Sequence, residues 1–145
     1  MDLYQLTEFM GHHPLLFTAL FVVLGLLLWD LVNAQLYGAE SLLPHEATLL
    51  INREDAIVLD VREDSEYKQG SILNAVHIPL SHLANSLNRL EKYRNRPIIA
   101  SCLSGNRSVR ACATLKKHGF EKIYNLKGGI YAWQNASLPL TKTKD

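Results

Sequence analysis

Between Leu15 and Trp29 the chain reads LLFTALFVVLGLLLW, a run broken only by Thr18 and Gly25 among large apolar residues and Ala. After Asp30 the run resumes with Leu31 and Val32. As a helix, Leu15–Val32 spans about 27 Å at the usual rise per residue, close to the roughly 30 Å hydrocarbon core of a bilayer. Asp30 sits near one end, where a charge reaches the headgroups at small cost; at the centre it would cost a few kcal/mol. Pro14 suits a first helical turn, and Trp29 and Tyr37 suit the membrane interface. The reading favoured is a retained single-span anchor over residues 14–33, after a short tail at 1–13. A cleaved signal peptide expects a basic leader, and residues 1–13 have no Lys or Arg, although Val32-Asn33-Ala34 resembles a cleavage site. A buried core helix would carry a polar stripe, which this run lacks.

Charge divides the chain at the same place. Residues 1–52 hold five acids and no Lys or Arg, so all 15 bases lie at Arg53 or later. Positive residues are retained on the cytoplasmic side, so the soluble part is expected there, attached to the inner membrane of a bacterial cell. A net charge of +1 removes the main argument for a nucleic-acid partner, and two cysteines are too few for a disulfide framework. At 145 residues with 48% hydrophobic content, the chain has one domain's worth of core material.

Beyond the linker expected over residues 34–40, strand and helix patterns alternate. Pro44 opens a helix through HEATLLIN, with Ser41 just upstream. Ala56–Leu59 is a buried strand ending at Asp60; EDSEYKQ is a short helix stopped by Gly70; Asn74–Ile78 is a second strand. Ser81 caps a helix running through Leu90, with Leu83, Leu87 and Leu90 on one face. Pro97–Ser101 forms a third strand, Ser108–His118 a helix with Val109, Ala113 and Lys116 flanked by Cys112 and Leu115, and Lys122–Leu126 another strand. Lys127-Gly128-Gly129 is a turn before a last helix at Ile130–Asn135. The alternation predicts an α/β three-layer sandwich around a mostly parallel sheet, over residues 41–138, with a C-terminal tail at 139–145.

Open parallel sheets hold ligands at the carboxyl ends of their strands. Cys102 follows such an end, and Leu103-Ser104-Gly105-Asn106-Arg107 lead into a helix. Amide groups in a short loop closed by a helix N-terminus form an anion cradle, which favours thiolate over thiol. Gly105 permits the tight path and Arg107 adds a fixed charge. The alternative is a small buried hydrophobe at a strand end. Cys112, inside the following helix, reads as core filler rather than a resolving thiol. Five histidines (His12, His13, His45, His82 and His118) show no ligand spacing with one another or with the cysteines, so neither metal nor cofactor is expected.

Leu59-Asp60-Val61-Arg62-Glu63, Glu66-Tyr67, Gly70, Ile78-Pro79, the Cys102 loop, and Asn125-Leu126-Lys127-Gly128-Gly129 with Trp133 together resemble the rhodanese-like sulfurtransferase domain. The resemblance covers residues 41–138. It implies that Cys102 takes sulfane sulfur from a donor such as thiosulfate, or from a persulfide, and passes it to a thiol or protein acceptor, or to cyanide. Loop residues Leu103, Ser104, Gly105, Asn106 and Arg107 would cradle the persulfide, with Arg107 on an anionic donor. Asp60 and Arg62 would support the loop, or else be a helix cap and a surface ion pair. Ser71 stands where the family often has His, and His77 lies nearer the strand end; neither is given a role. Four residues separate Cys102 from Arg107, as in small sulfurtransferases; related phosphatases and arsenate reductases have five. An alternative from another class is a membrane-tethered adaptor whose rhodanese fold binds a membrane-protein partner. The basic residues Arg89, Lys92, Arg94, Arg96, Arg110, Lys116 and Lys117 read mainly as solvated faces, with headgroup contact or guidance of anionic donors as the other reading.

Overall fold

The computed structural model describes residues 13–142, with side chains from 33 to 37 left aside. The tail expected at 1–13 therefore lies outside the described residues except for His13. Contacts divide the chain into two units, one ending at Leu36 and one beginning at Tyr37.

In the first unit, helix α1 runs Pro14–Tyr37. Its stretch Pro14–Val32 has a mean hydropathy of 2.5 and no buried portion. Leu15 is 82% exposed and Trp29 70%. Thr18 satisfies its hydroxyl on the Pro14 and Leu15 carbonyls, so the helix carries no unpaired hydroxyl there. The helix continues into the stretch expected as linker, and only Gly38 and Ala39 separate it from the next element.

The second unit is a five-stranded sheet with helices on both faces. Strands β1 (Glu40–Leu42), β2 (Ile57–Asp60), β3 (Val76–His77), β4 (Ile98–Ser101) and β5 (Ile123–Leu126) lie in the order β1-β5-β4-β2-β3. Every pairing is parallel. The helices are α2 (Pro44–Glu54), α3 (Asp64–Lys68), α4 (Leu80–Leu83), α5 (Asn106–Lys117) and α6 (Gly129–Asn135), with a 3-10 helix at Leu87–Tyr93. β2 and β4 are buried at every position, as expected of strands covered on both faces. Alternation then sorts their side chains. Ile57, Leu59, Ile98 and Ala100 join Leu83, Leu90, Ala111, Cys112 and Leu115 on one face, while Val58 and Ile99 join Ala47, Ile130 and Trp133 on the other.

Several local details differ from or add to the sequence expectations. Ser41 does not cap α2: it lies in β1, an edge strand too short and too exposed to show an apolar pattern. Leu43 takes the cap position, with its N–H donated to Glu46 Oε2 at 2.7 Å and Pro44 opening the helix. The helix expected from Ser81 to Leu90 is two pieces, α4 and the 3-10 helix, divided at Ala84-Asn85-Ser86. Leu83 and Leu90 are both fully buried, so the core contacts survive the break. In α5 the buried face is Ser108, Ala111, Cys112 and Leu115, leaving Val109 48% exposed. The tail expected from 139 is tied in part to the domain, because Thr141 and Ser71 exchange backbone hydrogen bonds at 2.8 Å in both directions.

Several of the clustered bases are paired rather than free. Arg94 meets Glu91 at 2.6 Å, and Arg96 meets Asp55 at 2.9 Å. Their guanidiniums also lie over the rings of Phe120 and Tyr93.

Candidate active site

β4 delivers its last residue, Ser101, into register with Asp60 of β2, which places Cys102 and the Asp60–Arg62 turn side by side at the carboxyl edge of the sheet. The chain then turns through Leu103 to Gly105 and enters α5 at Asn106. Gly105 has φ +99, and a Cβ there would meet the Gly128 nitrogen at 3.1 Å, so this turn needs glycine.

The turn folds the amides back onto the sulfur. Gly105 N–H donates to Cys102 Sγ at 3.1 Å, and the Ser108 hydroxyl lies 3.5 Å from the same atom. Cys102 is 1% exposed. Burial pushes its pKa up, but hydrogen bonds from the Ser108 side chain and from the backbone of Ser108, Gly105 and Ser104 outweigh it, so the thiol titrates below its ordinary value. Cys112 shows the opposite case. It is fully buried, lacks such a ring of donors, and burial pushes its pKa up to about 12. Its S–H is given to the Tyr124 carbonyl, which fits core filler.

Ser108 has one proton and three neighbours. Asn125 Oδ1 is at 2.6 Å, the Gly105 carbonyl at 3.0 Å, and Cys102 Sγ at 3.5 Å. With Cys102 as thiol, the S–H can donate to Ser108 while Ser108 donates to Asn125. With Cys102 as thiolate, the hydroxyl proton can turn to the sulfur.

A second segment holds the loop from behind. The N-terminal amides of α6 point at it: Ile130 N–H donates to the Cys102 carbonyl at 2.9 Å and Tyr131 N–H to the Leu103 carbonyl at 3.2 Å. With the Leu103 carbonyl turned away, the amides of Ser104 and Gly105 face the sulfur. A Cβ on Gly129 would stand 2.3 Å from the Cys102 carbonyl oxygen, so glycine sets how closely α6 approaches.

Asp60 and Arg62 are 1% and 2% exposed, which excludes the surface ion pair considered from sequence. Arg62 Nη2 meets Asp60 Oδ2 at 2.7 Å and the Gly70 carbonyl at 2.7 Å, while Nη1 donates to the Glu66 carbonyl at 3.1 Å. One guanidinium thus ties the middle of α3 and the turn just beyond its C-terminus to the end of β2. His77, stacked on Tyr67 with ring centroids 4.1 Å apart, donates from Nε2 to the Arg62 carbonyl at 2.8 Å. Arg107, of the loop itself, is engaged by Glu66 of α3 through two hydrogen bonds at 2.6 and 2.7 Å. The structure therefore brings Cys102, the 103–107 loop, Asp60 and Arg62 to one edge. Sequence reasoning gave no role to Ser108, Glu66, Asn125 or Gly129. For Ser108 the available signal was its place in the first turn of the helix after the loop.

The sequence profile of the rhodanese-like domain matches residues 43–136. The chain is 31% identical over 141 residues to the uncharacterized protein YibN of Escherichia coli (strain K12), covering 97% of this chain and 99% of that one. It is 35% identical over 91 residues to a sulfurtransferase of Allochromatium vinosum, covering 63% of this chain and 83% of the relative. Among solved structures, a rhodanese-related protein from Thermoplasma volcanium superposes with a TM-score of 0.65 at 32% identity, over 74% of this chain and all of that one.

Proposed function

The chain belongs to the rhodanese-like family, and from that premise we propose that it is a sulfurtransferase working through a Cys102 persulfide. The observation that carries the reading is the Cys102 sulfur itself, buried yet ringed by the Gly105 amide and the Ser108 hydroxyl. These donors stabilise an anion at Sγ, first as thiolate and then as persulfide. In the first half-reaction the thiolate attacks the outer sulfur of the donor. A new S–S bond forms, and the old one breaks with its electron pair leaving on sulfite (from thiosulfate) or on a thiolate (from a persulfide). In the second, an acceptor thiolate or cyanide attacks that outer sulfur, and the electron pair returns to Cys102. Leu103, Ser104, Gly105, Asn106 and Arg107 form the cradle, and Asp60 and Arg62 position it by holding α3.

We further propose that α1 spans the inner membrane once, with the domain on the cytoplasmic face. The length and hydropathy of Pro14–Val32 and the absence of buried residues in it support the span, and the confinement of Lys and Arg to the later residues supports the orientation.

The test uses the full chain in nonionic detergent. Intact mass should rise by one sulfur atom after incubation with thiosulfate or an organic persulfide, return to its starting value with cyanide, and stay constant in Cys102→Ala. A folded protein with reduced Cys102 that gains no sulfur from either donor would move the function to partner binding.

A further inference from the structure

Arg107 is the sole guanidinium of the Cys102 loop, and it is already occupied. Nη1 donates to Glu66 Oε2 at 2.7 Å and Nη2 to Glu66 Oε1 at 2.6 Å, a fork-on-fork pairing that turns both terminal nitrogens toward the carboxylate. The neighbouring guanidinium is no substitute, since Arg62 is buried and consumed by Asp60 and two carbonyls. The pair also resists acid. Hydrogen bonding to Arg107 prevails over desolvation, and with the Glu63 amide and the two guanidiniums it holds the Glu66 carboxyl down at about 2. Beyond the two ion pairs, segment 60–68 presents Glu63 and Asp64, both exposed, against Lys68 alone. The wall that this segment gives the loop is therefore not the basic funnel that a doubly charged donor would favour; the exposed bases Arg110 and Lys127 stand on other elements.

We infer, on the sulfur-transfer reading above, that Glu66 is a charge-selectivity residue: by occupying Arg107 it disfavours dianionic donors such as thiosulfate and leaves the site to low-charge donors, namely protein or alkyl persulfides. Thiosulfate must either displace the carboxylate from Arg107 or approach with it in place. Both routes set two negative charges beside a third. A persulfide brings at most one negative charge at the reacting group, and none as R–S–SH. The Cys102 thiolate attacks its outer sulfur, the old S–S bond breaks with its electron pair leaving on R–S⁻, and the proton stays with the transferred sulfur. The loop amides then hold the product without help from Arg107.

The experiment compares wild type with Glu66→Gln in the full chain in nonionic detergent. Thiosulfate and methanethiosulfonate place the same sulfur on Cys102, but carry two charges and one, and release sulfite and methanesulfinate. Removing one negative charge from the mouth should raise the rate constant for persulfide formation about tenfold with thiosulfate and about threefold with methanethiosulfonate, so their ratio rises about threefold. An unchanged ratio, or a loss of rate with both donors, overturns the assignment and makes Glu66 a residue that merely orients Arg107. A second readout does not depend on sulfur transfer: alkylation of Cys102, mapped by peptide mass, with anionic iodoacetate and neutral iodoacetamide. Glu66→Gln should favour iodoacetate. If that ratio moves while no donor forms a persulfide, the charge assignment stands and the sulfurtransferase reading falls. If it does not move, the assignment falls whatever the sulfur chemistry. Should Glu66→Gln fail to fold, Glu63→Gln shifts both ratios in the same direction by a smaller factor.

Discussion

At the scale of single residues, the Ser108 hydroxyl matters because one proton serves the sulfur and two oxygens. Ser108→Ala removes a donor to the thiolate, so the alkylation midpoint of Cys102 should move up. Rates at neutral pH should fall several-fold, and the two proteins should converge above both midpoints. That convergence separates a pKa effect from a steric one, and iodoacetamide kinetics against pH read it directly. The Asp60–Arg62 pair makes a stability prediction. Its side chains are 1% and 3% exposed, so Asp60→Ala strands a buried guanidinium at a cost of about 3–5 kcal/mol in denaturant unfolding. Cys102, Gly105 and Arg107 were legible in sequence because they share one short loop whose geometry follows from strand, turn and helix. Glu66 was not legible as their partner. It lies 41 positions before Arg107, and only the parallel crossover from β2 to β4 brings the two together.

At the scale of elements, the buried strands and α5 were legible because both faces of β2 and β4 are covered and the runs are continuously apolar. β1 was hidden for the opposite reason, as a three-residue edge strand with two exposed positions. The break between α4 and the 3-10 helix was also hidden, since Leu83, Leu87 and Leu90 keep helical spacing in either form. The element that most controls the site is α6, docked against the loop through Gly129. Gly129→Ala would press a methyl group onto the Cys102 carbonyl and place a non-glycine residue at φ +58. Backbone strain of about 1–3 kcal/mol and a displaced loop follow. The expected result is a lower melting temperature together with loss of the depressed Cys102 pKa, whereas a substitution that only loosened α6 would change the first alone.

At the scale of the whole molecule, the two units differ in what they bury. The domain from Tyr37 onward buries two apolar clusters of its own, while most large apolar side chains of α1, such as Leu15 and Trp29, are exposed. Deleting residues 1–36 should therefore give a monodisperse protein without detergent, with the cooperative unfolding of a packed α/β domain. Aggregation of that fragment would mean that its core needs the deleted segment. The grip of α6 on the Cys102 and Leu103 carbonyls has a consequence in time as well as in space. During synthesis the nucleophile and the donors around it emerge before the helix that grips its carbonyls. The loop is held at both sides only when the last helix docks, which makes its final geometry a late property of the chain and the alkylation rate of Cys102 a clock for the completion of folding.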